Sequence, residues 1–187
     1  EDYLSLPPQS RKRLKNPAAL TIDDGYRNFY RYAFPVLQQF SIPATIYVPV
    51  NFIEQGGWMW QDRNKYILVN AGKKTFSLEW QGVAHRFETG AFEALMKSMD
   101  TAYALSMSLP LAMREDFSNA LARAAGVSLP EKPAAEFEPL SWDDLREMEK
   151  YGVHIGSHTM NHEILTRVES ERLAHELRGS RQILEDR

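Results

Sequence analysis

The sequence contains no cysteine, so neither a disulfide framework nor a thiolate metal site can form. It also has no apolar stretch long enough to cross a bilayer. Positive charge is not in excess either, and a net charge of −3 gives no electrostatic reason to expect nucleic acid or an anionic membrane as a partner. What remains is a chain of 187 residues with the hydrophobic and charged content of an ordinary globular domain.

Two adjacent carboxylates follow an apolar segment near the N-terminus. Residues 18–22 predict a buried strand, and Asp23 and Asp24 come directly after it, before Gly25. Neighbouring side chains at the end of a strand point to opposite sides, so the two carboxylates can serve different tasks. Taken alone, however, Asp-Asp-Gly is most often only a turn.

Two histidines follow a second short apolar segment far downstream. Residues 153–157 predict a strand, and the spacing of His158 and His162 places both on one side of a helical turn. Two histidines and one aspartate are a normal ligand set for a catalytic zinc site that keeps a position open for water. The other aspartate would then be free to act as general base, and the sequence leaves open which aspartate has which role. In this order, each after a strand, the two motifs together predict a metal site.

The elements around the first motif favour a parallel β/α arrangement. Residues 29–40 predict a helix whose inward stripe includes Val36 and Phe40, and residues 44–48 predict a second strand. In such folds the sites lie at the carboxyl ends of the strands. A last helix begins at Ser170 and has three leucines on one face: Leu173, Leu177 and Leu184.

The segment between about residues 52 and 139 has its own pattern. Two alternating runs around Gln81-Gly82 predict a β-hairpin, and apolar periodicity predicts two helices before a proline-containing linker. Trp58 and Trp60 follow the second strand, where their rings could be flat platforms for a sugar or part of the core of this segment. Asp62 is a candidate for a polar contact in the same region.

The two metal-site motifs resemble those of a known family. Thr21–Gly25 (T-I-D-D-G) is similar to the T-F-D-D-G motif of the polysaccharide deacetylases, the NodB-homology proteins of carbohydrate esterase family four. Residues 156–162 contain a match to that family's second motif, H-[ST]-x-x-H. The resemblance implies one domain over residues 1–187 with an α/β fold. The expected architecture is a partial (β/α) barrel of the NodB-homology type with a helical and hairpin subdomain inserted at about 52–139.

The resemblance also implies an activity. It indicates a metal-dependent hydrolase that removes N-acetyl groups from a polysaccharide or oligosaccharide, acting on an amide C–N bond that is not a peptide bond. Asp23 would be the catalytic base, and Asp24, His158 and His162 would bind one divalent ion, with zinc as the default and cobalt or nickel as alternatives. Apart from the resemblance, Trp58 and Trp60 could form one wall of the substrate cleft or pack in the core of the insertion. The habit of the family places such a protein outside the cytoplasm, in the periplasm or at the cell surface.

Two other functions stay open at this point. A hydrolase of small amides or cyclic imides could use the same fold. A carbohydrate-binding or assembly protein could keep the fold and lack complete catalytic machinery.

The resemblance stops at the second motif and the helix after it. The family's Arg-x-x-Pro-type segment, its late tryptophan and its late histidine, which supplies the general acid, are not found before Arg187. The chain also begins at Glu1 without a methionine or a signal peptide. We therefore expect a truncated piece of a longer protein, or a second chain or tight dimer that completes the barrel. In either case we expect the chain alone to bind metal and to be poorly active.

Overall fold

The computed structural model describes residues 7–11 and 18–187. The strands are β1 (Thr21–Ile22), β2 (Ala44–Val48), β3 (Thr75–Trp80), β4 (Val83–Glu88) and β5 (Val153–Ser157). The α-helices are α1 (Pro8–Arg11), α2 (Phe34–Phe40), α3 (Val50–Gln55), α4 (Trp60–Val69), α5 (Phe92–Ser108), α6 (Leu111–Ala125), α7 (Trp142–Lys150) and α8 (Ser170–Asp186). A π-helical segment (Phe29–Ala33) precedes α2, and short 3-10 turns occupy Ala135–Phe137 and Leu165–Arg167. Within the described ranges, no helix has both the length and the apolar character that a membrane span requires.

The predicted strands form a parallel sheet in the order β1-β2-β5. β2 lies in the middle, and its residues Ile46 and Val48 are completely buried. The register pairs Ile22 with Ile46 and Ser157 with Val48, so the loops after β1 and β5 leave the sheet at the same end, on either side of β2. The predicted α/β fold with a partial barrel is therefore confirmed. Over residues 7–11 and 18–187 the barrel is not closed.

The buried strand predicted over residues 18–22 is wrong in length and in burial. Only Thr21 and Ile22 belong to β1, and Leu20 is 43% exposed. Among the described strands β1 pairs with β2 alone, so its outer side lacks the cover that a central strand receives.

The helix predicted over residues 29–40 is divided in two. Its first part is the π-helical segment, in which the Phe34 N–H donates to the Phe29 carbonyl. Pro35 stands in the first turn of α2, where a missing N–H removes no helical hydrogen bond. The wider π turn shifts the phase of the apolar residues. As a result, Val36 and Phe40 of the predicted inward stripe are 50% and 64% exposed.

The inserted segment folds around a second hydrophobic core. The predicted hairpin is present as β3 and β4, and Gln81 and Gly82 at its tip have φ values of 52° and 79°, as a tight two-residue turn requires. The hairpin packs against α5 and α6, and these two helices pack against α4. Phe87, Phe117 and Leu121 are completely buried in this core. The first core surrounds β2.

The last helix, α8, buries a different stripe from the one predicted. Leu177 is 47% exposed, whereas Glu176 and Ser180 are completely buried. The inward positions are therefore 173, 176, 180 and 184, which also follow helical spacing. Polar residues occupy the middle of this stripe because they bond to the end of β5 and to the turn that follows it.

Candidate metal centre

Asp24, His158 and His162 meet at the carboxyl end of the parallel sheet. Their ligand atoms all lie within 4.8 Å of one another. His162 Nε2 is 3.2 Å from Asp24 Oδ1, and His158 Nε2 is 3.9 Å from the same oxygen. Donor atoms bound tetrahedrally to one zinc ion at about 2.1 Å are roughly 3.4 Å apart, so these separations fit a single ion.

The two histidines stabilise the charged form of Asp24. The hydrogen bond with His162 lowers the pKa of Asp24, burial acts in the opposite direction, and the charges of His162 and His158 lower the pKa further. Because the net pKa lies below the ordinary value of 3.8, the carboxylate is ionised at neutral pH and available as a ligand.

The backbone conformation directs Asp24 towards the histidines. Asp24 and Gly25 have φ values of 74° and 73°, so the chain turns sharply after β1. Glycine is required at the second position, because a Cβ on Gly25 would lie 2.8 Å from Val48 Cγ1. The Gly25 carbonyl accepts a hydrogen bond from the Leu140 N–H at 2.8 Å, which anchors the turn to the segment that leaves the insertion.

The helical turn predicted for the two histidines is wrong. The segment after β5 is irregular, and Thr159 and His162 have left-handed φ values of 70° and 54°, which an α-helical turn does not contain. The chain folds back on itself, so that the imidazole rings of His158 and His162 stack with their centroids 4.9 Å apart. Both rings still direct Nε2 to Asp24.

A buried carboxylate on α8 holds this irregular turn, and sequence reasoning missed it. Glu176 Oε2 accepts hydrogen bonds from the backbone N–H groups of Met160 and Asn161 at 2.9 and 3.0 Å, and Oε1 accepts from Asn161 Nδ2 at 2.7 Å. A glutamate on a helix usually faces solvent, which explains the omission. The sequence does contain a signal for the burial of Glu176. It lies three residues after Leu173, so the two side chains share the inward face of the helix.

Asp23 lies beside the ligand cluster and is not part of it. Its Oδ1 is 4.0 Å from His158 Nδ1, and its side chain is 63% exposed. The carboxylate is therefore open to a substrate or a water molecule, as a general base must be. Its catalytic role stays a prediction.

Comparison with known proteins confirms the family resemblance. The family model described as polysaccharide deacetylase matches residues 10–187. The chain belongs to the polysaccharide deacetylase family. Among solved structures it is similar to the Streptococcus pyogenes deacetylase PplD in complex with acetate, with a TM-score of 0.46 and 16% identity over 97% of this chain and 49% of that chain. It thus spans about half the length of that deacetylase. No curated protein sequence matches it.

The donor set of this polysaccharide deacetylase domain is chemically suited to a divalent ion. One carboxylate oxygen and two imidazole nitrogens are ligands that zinc and its neighbours in the transition series accept. The three side chains are partly exposed, so an ion can reach them. The set therefore fits the metal that the family generally uses.

Trp58 and Trp60 lie in the insertion, next to two cavities. Trp58 donates its Nε1–H to the Pro130 carbonyl at 2.9 Å and lines a cavity of about 710 Å³. Trp60 lines that cavity too, and also a second cavity of about 400 Å³ that His158 and His162 border. The ring of Trp60 is 9% exposed, with the Arg114 guanidinium 4.4 Å above it and Tyr103 stacked against it. Substrate binding by either tryptophan stays a prediction.

Proposed function

We propose that this protein is a metal-dependent hydrolase that removes N-acetyl groups from a polysaccharide. The observation that carries the proposal is the meeting of Asp24, His158 and His162 at one end of the sheet, with the exposed Asp23 beside them. Membership of the polysaccharide deacetylase family supports the reaction class. An extracytoplasmic location remains a prediction from the same family resemblance.

Each residue has a defined task in this proposal. Asp24, His158 and His162 hold the ion, and zinc is the default for this donor set. When bound, such an ion acts as a Lewis acid and lowers the pKa of an attached water. Asp23 accepts the proton of the water that attacks the carbonyl carbon of the N-acetyl group. The amide C–N bond then breaks, acetate leaves, and the sugar amine must gain a proton.

The cavity that borders the histidines offers room for the acetylated sugar. Its wall includes residues of both the metal loop and the insertion, since Tyr103 and Met107 of α5 line it together with His158 and His162. A substrate at the metal would therefore contact both parts of the chain. We accordingly propose that the insertion contributes to the choice of polysaccharide.

Metal content and affinity of the purified chain test the site. We expect about one zinc ion per chain, lost in Asp24→Ala and in His158→Ala because each removes one of three ligands. Asp23→Asn should keep the ion and should lower the rate of acetate release from N-acetylglucosamine oligomers by about 100-fold or more in any chain that turns over. His154→Ala is the matched control, because His154 is exposed on β5 and outside the ligand group. Metal binding that is indifferent to Asp24→Ala and His158→Ala would show that the site does not form.

A further inference from the structure

One partly buried hydrogen bond fastens the metal-site loop to the inserted subdomain. Tyr26, two residues after Asp24, donates its hydroxyl hydrogen to Asp62 Oδ2 at 2.5 Å. Asp62 belongs to the first turn of α4 and is 7% exposed. The bond therefore joins two segments far apart in sequence, and its Asp62 end is buried.

Tyr26 is fixed in this position from several sides. Its ring meets Phe52 edge to face, with centroids 5.5 Å apart and an interplanar angle of 73°. Its backbone forms an isolated β-bridge with Pro139, where the chain leaves the insertion. The hydroxyl bond to Asp62 adds a contact from the beginning of the insertion. The loop after β1 is thus held by both ends of the inserted segment.

The loop needs such support because of the conformation of Asp24. A left-handed φ of 74° is unfavourable for a residue with a side chain, and it persists only where the surroundings hold it. This conformation is also what directs the carboxylate to His158 and His162. Contacts that fix the loop immediately after Asp24 therefore act on the ligand itself.

We propose that Asp62 is a positioning residue for the metal centre, acting through the hydroxyl of Tyr26. The proposal rests on the function proposed above, because it takes Asp24 to be a metal ligand. In this role Asp62 makes the insertion necessary for the geometry of the metal centre, since the position of Asp24 depends on it. Asp62 acts through its hydrogen bond with Tyr26 and does not need to touch the substrate.

A purely structural role for Asp62 has different consequences. A carboxylate in the first turn of a helix is favoured by the helix dipole, so Asp62 could serve α4 alone. That role does not involve the tyrosine, and Tyr26→Phe would leave it intact. Removal of the hydroxyl with retention of the ring therefore separates positioning of the loop from stabilisation of the helix.

The test is a double-mutant cycle on zinc affinity, measured by competition with a chelator on chains shown to be folded by circular dichroism. We expect Tyr26→Phe and Asp62→Ala each to weaken zinc binding by about tenfold, as loss of outer-shell support does in other metal sites. The double variant should bind zinc no more weakly than either single variant, because all three lose the same hydrogen bond. The absorption spectrum of bound Co²⁺ should change in the same variants, since it reports the geometry of the ligands.

Two further variants sharpen the test. Asp62→Asn keeps an oxygen that accepts from Tyr26, so it should retain most of the affinity that Asp62→Ala loses. Tyr66→Phe removes a hydroxyl elsewhere on α4 and should leave the affinity and the Co²⁺ spectrum unchanged. If Asp62→Ala does not fold, Tyr26→Phe and Asp62→Asn still decide the question.

The possible results separate the two proposals. Unchanged zinc affinity and an unchanged Co²⁺ spectrum in Tyr26→Phe, while His158→Ala loses the ion, would overturn the positioning role and leave the metal centre intact. Losses that add in the double variant would also overturn it, because the two side chains would then act independently. Absence of zinc binding in the wild-type chain would instead overturn the proposed function.

Discussion

Asp23 and Asp24 are neighbours in sequence with different surroundings. The side chain of Asp24 is 28% exposed and within reach of both histidines, whereas that of Asp23 is 63% exposed and approaches only His158 Nδ1, at 4.0 Å. Strand alternation predicts that the two differ, but it does not assign their roles. The left-handed conformation of Asp24 makes the difference, because it turns that side chain into the site.

Asp62 should make stability depend on pH. Burial raises the pKa of Asp62 to about 6, from an ordinary value of 3.8, and the hydrogen bond from Tyr26 only partly opposes this. The folded chain thus binds this proton more tightly than the unfolded chain. The protonated Asp62 carboxyl thus contributes at most about 3 kcal/mol to the free energy of unfolding. This contribution is complete below pH 3.8 and is lost as the pH rises to about 6.

This pH dependence can be measured by urea unfolding of the zinc-free chain at several pH values between 3.8 and 7, with Asp62→Asn for comparison. The variant has no group to ionise at this position, so its free energy of unfolding should fall less, or rise more, over this interval than that of the wild type. Identical pH profiles for the two chains would contradict the raised pKa of Asp62.

At the scale of elements, α8 supports the metal centre by burying a polar stripe. Ser180 Oγ lies 2.6 Å from Ser157 Oγ at the end of β5, and Glu176 binds the turn that follows. The helix thereby fixes the histidine turn through its backbone, without contact to the proposed ion. A helix with leucines at these positions would pack against the sheet and leave the N–H groups of the turn unpaired.

Replacement of Glu176 should damage stability and metal binding together. Glu176→Ala leaves the buried backbone N–H of Met160 and the half-buried N–H of Asn161 without an acceptor, which should cost about 3 kcal/mol in the free energy of unfolding. Glu176→Gln keeps one acceptor oxygen and should cost less. Urea unfolding and zinc affinity measure both effects. Glu171→Ala, an exposed position on the same helix, is the control, and an equal loss in that variant would contradict the role of Glu176.

The sequence predicts elements well where the local signal is strong. β2 and β5 have the predicted bounds, and the Gln81-Gly82 turn lies where the alternation of the two runs requires it. The predictions fail where burial depends on distant partners. Leu20, just before β1, is exposed, and β1 is an edge strand among the described strands. The buried face of α8 includes Glu176 because N–H groups of another segment need its carboxylate.

At the scale of the molecule, the site is bordered by two parts of the chain, each of which folds around its own hydrophobic core. The ligands follow β1 and β5 of the sheet around the first core, while Trp60 and Asp62 come from the insertion that surrounds the second. The order of the two motifs, each after a strand, is enough to predict that Asp24, His158 and His162 come together. It could not predict the contacts of the insertion, since the bond between Tyr26 and Asp62 depends on how α4 packs against the loop after β1.

Zinc should therefore stabilise the whole chain, because its ligands come together only when the sheet has formed. An ion that binds the folded state alone at 100 times its dissociation constant adds about 2.7 kcal/mol to the free energy of unfolding. For a chain of this size, that corresponds to an increase in unfolding temperature of roughly 5 to 10 °C. Thermal unfolding with zinc and with a chelator measures the effect. His162→Ala should abolish the increase, whereas His154→Ala should show the wild-type increase, since His154 is exposed on β5 and lies outside the ligand group. An equal increase in His162→Ala would mean that zinc stabilises the chain from a place other than the site at the end of the sheet.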